Sequence, residues 1–231
     1  MNLYVGTSGY SYKEWKGNFY PEDLSDKKML GYYAEQFNTV EINNTFYRMP
    51  KQNVLETWKK EVPGNFHFII KSPKRITHIN KLETNDSSKY FVNTVKALDN
   101  KLGVLLFQLP PYFKKDIEKL TTFLDSLPED TRAAFEFRNK SWFDEEVYNV
   151  LSKHKQALCM ADTDDDPIKE IVPTADWGYL RLRKSNYNAA SLKKWKERIA
   201  SAGWKDVYIL FKHEDEGKGP KFAKKFMKLF D

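Results

Sequence analysis

Short apolar segments typical of β-strands recur along the whole chain, at intervals of about 30 residues. Eight of them occupy residues 3–7, 39–43, 66–71, 102–108, 133–138, 157–161, 177–183 and 206–212. Stretches with the apolar spacing of an amphipathic helix lie between most of these segments. The first stretch has this spacing at Leu30, Tyr33, Ala34 and Phe37, and similar stripes start at Ile117, Leu192 and Phe222.

Strands that alternate with helices predict a parallel sheet with crossover helices. The chain has 231 residues, which fits a small closed (β/α)8 barrel, a fold of about 200–250 residues. We therefore predict a single (β/α)8 barrel domain, an α/β fold, over residues 1–231. Residues 163–176, between the sixth and seventh strands, are polar and broken by two prolines, so we expect an irregular connection there. A doubly wound open sheet is the alternative, but no G-x-G-x-x-G or G-x-x-x-x-G-K-[ST] motif follows a strand.

Alternation along each strand predicts which side chains face the barrel interior. In the fifth strand, Phe135 and Phe137 share one face, while Glu136 and Arg138 share the other. The same reasoning places further polar side chains inward or at strand ends: Glu41, Asn43, His67, Lys71, Gln108, Asp162, Tyr179, Arg181 and Arg183. The interior thus becomes polar toward the carboxyl ends of the strands, where the active sites of such barrels lie.

Charges of both signs converge in this set, and buried charges are costly unless they are paired or used. We predict Glu41, Glu136, Lys71 and Asp162 as catalytic residues, with the two glutamates as general acid and base. Two carboxylates are also what glycoside hydrolysis needs. The alternative is a structural ion-pair network that only closes the top of the barrel.

Loops after the strands supply candidate binding groups. Residues 6–12 contain small side chains that let backbone N–H groups approach an anion, unless they only form a turn with positive φ. Four aromatic side chains either wall a pocket or pack as a lid over the barrel mouth: Trp15, Phe19, Tyr20 and Tyr47. The basic segment 71–81 either cradles an anion or lies in water. The predicted ligand-binding residues are Ser8, Tyr12, Trp15, Asn43, Tyr47, Lys74, His78, Gln108, Arg138, Trp142, Tyr179 and Arg181.

The net charge of +6 lies entirely in the first half of the chain. Residues 1–115 contain 17 Lys and Arg against 11 Asp and Glu, whereas residues 116–231 contain 21 of each. Such an excess is compatible with an anionic ligand, with nucleic acid or with a solubilising surface. In the predicted site, Glu136 alone cannot neutralise both Arg138 and Arg181. We therefore expect a phosphate, sulfate or carboxylate within hydrogen-bond reach of these arginines or of Lys71.

Composition excludes several classes of protein. Hydrophobic residues make up 41% and aromatic residues 15% of the chain, which is incompatible with disorder. A single cysteine, Cys159, rules out a disulfide framework and favours a reducing compartment. No apolar run approaches the roughly 18 residues of a membrane span, and the first residues lack the pattern of a signal peptide. These features predict a soluble cytoplasmic protein without a membrane partner.

Six motifs occur here in an order that resembles the YecE-like family, also called domain of unknown function 72. They are GTSGYSYKEWKGNFYP, VEINNTFYR, FIIKSPKRITH, LLFQLPP, FEFRNKSW and YLRLR. The resemblance spans roughly residues 3–213 and implies a (β/α) barrel without an established activity. One departure from the family pattern is at the end of the eighth strand. The family usually has an aromatic residue followed by two asparagines, whereas this chain has Phe211-Lys212-His213.

The residues give little support for a metal. Barrels distantly similar to the family include metal-dependent endonucleases and sugar isomerases, whose sites are rich in histidine and carboxylates, but this chain has four histidines. We expect His67 in the core and His154 on a helix surface. We predict no cofactor and no stoichiometric zinc; a divalent cation at Glu41, Glu136 and Asp162 is a minor alternative. Cys159 is predicted to face the helices as a core residue.

Two functional hypotheses follow. The first is an enzyme, of a hydrolase, lyase or isomerase class left open, that acts on a small anionic substrate such as a phosphate- or carboxylate-bearing sugar or a nucleotide. The second is a nucleic-acid-binding protein or repair-like phosphodiesterase, suggested by the basic first half and by Tyr12, Trp15, Tyr47 and Trp142. We prefer the first because the charged groups converge inward instead of forming a surface stripe.

Overall fold

The structure, a computed structural model, describes residues 1–212 and 217–230. Eight parallel strands form a closed barrel in chain order, because β1 pairs with both β2 and β8. The strands are β1 (Asn2–Ser8), β2 (Thr39–Ile42), β3 (His67–Lys71), β4 (Leu102–Leu109), β5 (Ala133–Phe137), β6 (Ala157–Asp162), β7 (Trp177–Leu182) and β8 (Asp206–Phe211). The predicted (β/α)8 barrel is confirmed, and an open sheet is excluded.

Helices cover the outside of the barrel. Within the described residues they are α1 (Met29–Ala34), α2 (Gln52–Glu61), α3 (Asp86–Val95), α4 (Ile117–Asp125), α5 (Glu145–Lys153), α6 (Ala189–Ala200) and α7 (Lys218–Met227). No helix joins β6 to β7; as predicted, residues 163–176 form an irregular connection. Its Ile168, Ile171 and Val172 pack, partly buried, against the core. No helix of the described chain has the length and apolar character needed to cross a membrane.

Alternation along the strands divides the apolar core into two parts. The larger part lies between strands and helices and includes the fully buried rings of Phe68, Phe107 and Phe135. The smaller part fills the barrel, and we call it the inner layer; it consists of Ile69, Val104, Leu106, Ala134, Ala157, Cys159, Trp177, Tyr179, Tyr208 and Leu210. Burial of one large apolar side chain contributes about 1.5–3 kcal/mol. This apolar layer separates the two polar ends of the barrel interior.

Strand β6 corrects one prediction. Cys159 belongs to the inner layer and Met160 packs toward the helices, so the prediction that Cys159 faces the helices was wrong. Side chains alternate, and Asp162 therefore points to the helix side of the barrel, not into its interior. The cause is local: residues 157–161 are apolar on both faces, and no polar position along them fixes the direction of the alternation.

The amino ends of the strands form one polar end of the interior. Asp206 accepts hydrogen bonds from Asn2 (2.7 Å) and from Arg132 (2.5 Å). Tyr4 stacks on both His67 and Tyr208, with ring centroids 4.4 and 4.6 Å away. These residues close the barrel interior at the amino ends of the strands.

Candidate functional site

A buried arginine joins two buried carboxylates at the carboxyl ends of the strands. Arg181 Nη2 donates to Glu41 Oε1 over 2.8 Å, and Arg181 Nη1 donates to Glu136 Oε2 over 2.5 Å. All three side chains are at most 3% exposed. The strands place them there because each lies on an inward-facing position of β2, β5 or β7, as the alternation predicted. The predicted charge balance was wrong, since Arg181 is neutralised by two carboxylates and not by Glu136 alone.

Neighbouring strands complete the contacts of both carboxylates. Ser8, the register partner of Glu41, donates to Glu41 Oε1, and Tyr179 donates to Glu41 Oε2 over 2.6 Å. Asn43 donates to the Ser8 hydroxyl over 3.0 Å. The close pairing of β1 with β2 requires glycine at position 6, where a Cβ atom would lie 2.0 Å from the Thr39 carbonyl oxygen.

The second carboxylate is held in the same way. Gln108, the register partner of Glu136, donates to Glu136 Oε2 over 2.8 Å, and Arg138 Nη2 lies 2.5 Å from Glu136 Oε1. We call the following residues, which hydrogen bonds and ion pairs join, the carboxylate network: Ser8, Glu41, Gln108, Glu136, Arg138, Tyr179 and Arg181. It links five of the eight strands and the first residue after β5.

The carboxylate network keeps both glutamates ionised. Burial alone would raise the pKa of Glu41, but Arg181 and the hydrogen bonds from Ser8 and Tyr179 outweigh it and lower that pKa. Burial likewise opposes ionisation of Glu136, yet Arg181 and Arg138 lower its pKa to about 2. A carboxyl group with so low a pKa carries no proton to donate at neutral pH. The contacts therefore favour the structural alternative for Glu41 and Glu136, whose catalytic roles stay predictions.

Lys71 differs from the charged groups of the carboxylate network. Its side chain is buried, its Nζ donates to Gln108 Oε1 over 2.9 Å, and the Phe46 ring centroid lies 4.6 Å from Nζ. No carboxylate of residues 1–212 or 217–230 lies within ion-pair distance of it. Burial and the positive charge of Arg181 lower the pKa of Lys71 to about 8.

A cavity of about 340 Å³ opens above the carboxylate network. Its lining residues are Tyr12, Asn43, Phe46, Tyr47, Lys71, Gln108, Arg138, Arg181, Arg183 and Lys212. Five of these side chains are cationic, and no carboxylate of the described residues lines the wall. The cavity brings together seven of the predicted site residues, and we call it the mouth cavity.

The site prediction missed Phe46, Arg183 and Lys212. Alternation had placed Arg183 inward without assigning it to the site. Lys212 continues the inward-facing series of β8 by one step beyond the strand, so alternation carried past the strand end would have found it. Phe46 follows β2 in a short 3-10 turn, Asn44–Phe46, and no sequence signal distinguishes it from a core aromatic residue.

Two tryptophans predicted to bind ligand lie in the core. Trp15 is 1% exposed and packs on Phe19 and Tyr20. Trp142 is fully buried, stacks on Phe137 with ring centroids 4.7 Å apart, and donates from Nε1 to a backbone carbonyl over 2.7 Å. We therefore remove Trp15 and Trp142 from the predicted ligand-binding residues, because their loops fold so that both rings are buried below the rim of the barrel.

Asp162 is also corrected, because it lies outside the barrel interior. Its Oδ2 accepts from Tyr187 over 3.0 Å, its Oδ1 accepts from the Ile168 backbone N–H over 3.0 Å, and Lys184 Nζ lies 3.2 Å from Oδ1. It anchors the β6–β7 connection and has no place in a cation site with Glu41 and Glu136.

No group of three or more His, Cys, Asp or Glu side chains in the described part of the chain could hold a metal ion. His213, one of the two residues at which the chain departs from the family pattern, lies outside the described residues. The minor alternative of a divalent cation thus loses its third carboxylate without a replacement among the described side chains.

The segment after β3 forms one π-helical turn, Arg75–Ile79. Lys74 precedes this turn and is exposed, so it does not line the mouth cavity. His78 is half-buried, and its ring meets Phe46 edge-on with centroids 5.0 Å apart. Burial and the nearby Lys71 lower the pKa of His78. Neither Lys74 nor His78 therefore lines the mouth cavity, and His78 packs behind its wall against Phe46.

The first βα loop forms part of the cavity rim. Gly9 has a φ of 100°, which supports the predicted alternative of a turn that needs positive φ. The turn lets the Gly9 backbone N–H donate to the Glu41 carbonyl over 2.8 Å. Tyr12 lies over the turn and donates to the Ser8 carbonyl over 2.8 Å, while Tyr47 on the loop after β2 is 77% exposed.

Three comparisons place this chain among known proteins. YunF of Bacillus subtilis is 28% identical, with 99% of this chain and 95% of YunF covered. YecE of Escherichia coli K12 is 27% identical over 75% of this chain, and the alignment spans 63% of YecE. The crystal structure of a DUF72 family protein from Thermotoga maritima is 29% identical and has a TM-score of 0.87, with 100% of this chain and 99% of that chain covered.

A family model described as protein of unknown function DUF72 matches residues 4–231, which include all but the first two strand residues and all residues of the mouth cavity. The match confirms the resemblance inferred from the six motifs. The chain belongs to the DUF72 family, together with YecE and YunF.

Proposed function

We propose that the mouth cavity binds a small metabolite that carries a phosphate or carboxylate group, and that the protein is an enzyme acting on it. The observation that supports this most directly is the cavity wall, which has five cationic side chains and no carboxylate from the described residues. Its position agrees with that of active sites in (β/α)8 barrels, at the carboxyl ends of the strands.

The charge balance of the site argues for an anion. Arg181 and Arg138 share Glu41 and Glu136, so these four groups neutralise one another. Lys71 and Arg183 then add positive charge without an ion-pair partner among the described residues. Burial and the adjacent guanidinium of Arg181 lower the pKa of Arg183, which means that its charged form is disfavoured where it stands. A bound anion would relieve this repulsion through charge-assisted hydrogen bonds.

The size of the cavity argues for a small ligand. About 340 Å³ lies at the lower end of the roughly 300–1,000 Å³ range of small-molecule sites. Nucleic acid, the second hypothesis, would need several stacking rings on the surface, and two of the four rings considered for this role, Trp15 and Trp142, are buried. A steep dependence of binding on salt would favour nucleic acid, whereas a small enclosed ligand gives a shallow one.

Thermal melts with inorganic phosphate test this proposal. At about 10 mM phosphate, a dissociation constant of about 1 mM would raise the free energy of unfolding by about 1.4 kcal/mol, and the Tm by about 3–6 °C. Chloride at equal ionic strength is the reference. Arg183→Met should keep the stability of the protein and lose the phosphate response, because it removes an uncompensated cation. Lys74→Met, an exposed lysine outside the cavity, is the matched control and should respond like the wild type.

Arg181→Met is unsuitable for this test, because it would leave two buried carboxylates without a counter-charge. A wild-type protein whose Tm ignores phosphate, sulfate and simple carboxylates would contradict the anion site. An equal phosphate response of wild type and Arg183→Met would place the bound anion elsewhere on the surface.

A further inference from the structure

Lys71 has the surroundings of a reactive amine and not those of a structural lysine. A buried lysine that only stabilises a fold normally pairs with a carboxylate. Here Nζ has a neutral amide oxygen at 2.9 Å and an aromatic ring face at 4.6 Å. Nζ borders the mouth cavity, so a ligand held there can reach it.

The nearby carboxylates are already engaged. Glu136 receives Gln108, Arg138 and Arg181, and Glu41 receives Arg181, Ser8 and Tyr179. Gln108 stands between Lys71 and Glu136: its Oε1 accepts from Lys71, and its Nε2 donates to Glu136. An amide in this position holds the lysine side chain in place without supplying the negative charge that would keep it protonated.

The surrounding cations favour the neutral amine. Burial, then Arg181 and Arg138, lower the pKa of Lys71, and the two glutamates compensate only in part, so that the pKa falls to about 8. At pH 7.5 the neutral fraction of such an amine is about 200-fold larger than that of an ordinary lysine, whose pKa is about 10.4. Neutral amines attack carbonyl carbons, and lysines that form imines are activated in this way.

We propose that Lys71 forms an imine with the carbonyl group of an anionic substrate, whose phosphate or carboxylate is held by the arginines of the mouth cavity. The proposal rests on the anion site of the proposed function and narrows its substrate class to carbonyl compounds. Two chemistries fit, a 2-oxo carboxylate and a phosphorylated ketose, because each carries an anionic group a short distance from a ketone.

The step balances without any further reagent. The lone pair of neutral Nζ forms a bond to the carbonyl carbon while the π electrons move to the carbonyl oxygen. Both N–H protons pass to that oxygen through solvent, the C–O bond breaks, and the oxygen leaves as water. Nitrogen and carbon are then joined by a double bond. The positive wall stabilises the anionic group of the substrate throughout, and the resulting imine withdraws electrons from the adjacent carbon.

Borohydride trapping tests the proposal, because it reduces an imine to a stable secondary amine. The full-length protein is incubated with pyruvate in one arm and with dihydroxyacetone phosphate in the other, reduced, digested and mapped by mass spectrometry. We expect a covalent adduct on the peptide that contains Lys71, at least 10-fold above that on any other lysine peptide. The arm with the higher yield identifies the substrate class.

Two variants remove the amine in different ways. Lys71→Met removes the positive charge, and Lys71→Arg keeps it, but neither side chain forms an imine; both should lose the adduct at this peptide. Lys74→Met, three residues away, should trap as much as the wild type. The Lys71→Arg protein should still gain stability from phosphate, which shows that it is folded and binds the anion.

The pH dependence tests the positioning role of Gln108. In the wild type, the trapping rate should rise between pH 6 and 9 with a midpoint near the pKa of about 8. Gln108→Met removes the hydrogen-bond acceptor of the ammonium group, so the midpoint should move to lower pH. A residue that only fills space would leave the midpoint unchanged.

Failure of this proposal differs from failure of the proposed function. A phosphate-dependent rise in Tm with no adduct from either carbonyl compound would overturn the imine and leave the anion site intact. Absence of both would overturn the two proposals together. An adduct that is spread evenly over many lysines, or that survives at its wild-type total in Lys71→Arg, would also overturn the role of Lys71.

Discussion

The two ends of the barrel interior both contain charged residues, yet they balance charge differently. At the amino end, Asp206 and Arg132 form one pair, beside the stacked rings of Tyr4, His67 and Tyr208. At the carboxyl end, two carboxylates serve one central arginine, and further cations stand around an open cavity. At the amino end, the two opposite charges neutralise each other. At the carboxyl end, the cations outnumber the carboxylates, so this end keeps a net positive charge.

Judged by cavity volume alone, the candidate ligand site would lie at the amino end of the barrel. A cavity of about 430 Å³ lies beside the amino ends of the strands, and its wall carries Lys96 and Arg132 together with Asp99 and Asp130. The mouth cavity is smaller, but all its charged lining residues are cations. Imbalance of charge, and not volume, is therefore the reason why we propose the mouth cavity, and not the larger one, as the ligand site.

The largest expected effect is the difference in free energy of unfolding between variants that lack the arginine of one end or of the other. Arg181→Met leaves Glu41 and Glu136 buried without their shared counter-charge and should lower the free energy of unfolding by about 3–5 kcal/mol. Arg132→Met, at the amino end, removes a side chain that is 38% exposed and should cost about 1 kcal/mol or less. Urea denaturation of both variants measures the difference. Equal losses would show that the two ends are energetically alike.

Acid should weaken the carboxyl end through Glu136. The unfolded chain titrates this group near its ordinary pKa of about 4.3, and the folded protein near about 2. Between these values the unfolded chain binds more protons, so the free energy of unfolding falls as pH drops from about 5 toward 2, by roughly 3 kcal/mol for this group.

Glu136→Gln provides the comparison for this acid effect. It removes the titrating group, so the stability gap between wild type and variant should narrow as the pH falls. The check is a series of urea denaturation curves between pH 7 and 3. Parallel pH profiles would mean that Glu136 has an ordinary pKa in the folded protein.

A smaller pH effect is expected at the amino end. Burial, and next the charge of Arg132, lower the pKa of His67, whose unfolded value is about 6.5. The unfolded chain therefore takes up the proton first, and stability falls as pH drops below about 7. His67→Asn should reduce the slope of stability against pH between 7 and 5. A variant with the slope of the wild type would assign that slope to other groups, such as His78.

The smallest expected effect tests the inner layer that separates the two ends. Cys159 is 3% exposed within this layer, and burial raises the pKa of its thiol. We expect no reaction of the native protein with Ellman's reagent at pH 8 and full reaction after unfolding in urea. Rapid labelling of the native protein would show that the layer opens and that the two ends communicate through it.

Much of the difference between the two ends could be predicted from the sequence, because alternation of polar and apolar residues shows which face of a strand points into the barrel. It placed Glu41, Lys71, Gln108, Glu136 and Arg181 at one end of a barrel. The alternation failed at Cys159 and Asp162, because their strand is buried on both faces and its apolar residues do not alternate with polar ones. It failed again at Trp15 and Trp142, since loop geometry decides whether an aromatic ring lines a pocket or fills the core.

The ion-pair partners of the charged residues were harder to predict than the places of these residues in the barrel. The sequence indicates that Arg181 and Glu136 share a region, but pairing of Arg181 with both Glu41 and Glu136 depends on how the closed barrel brings β2 and β5 within reach of β7. That closure is a property of the whole sheet. The isolation of Lys71 from any carboxylate of the described residues follows from the same arrangement.

The helix-free β6–β7 connection suits this barrel to fragment complementation. Residues 164–167 are exposed, and a break there leaves every strand intact. It would yield a six-stranded piece and a two-stranded piece, each with two open sheet edges that only the other piece closes. Co-expressed halves should therefore purify together as one complex. Halves that elute separately would show that closure of this barrel requires an unbroken chain.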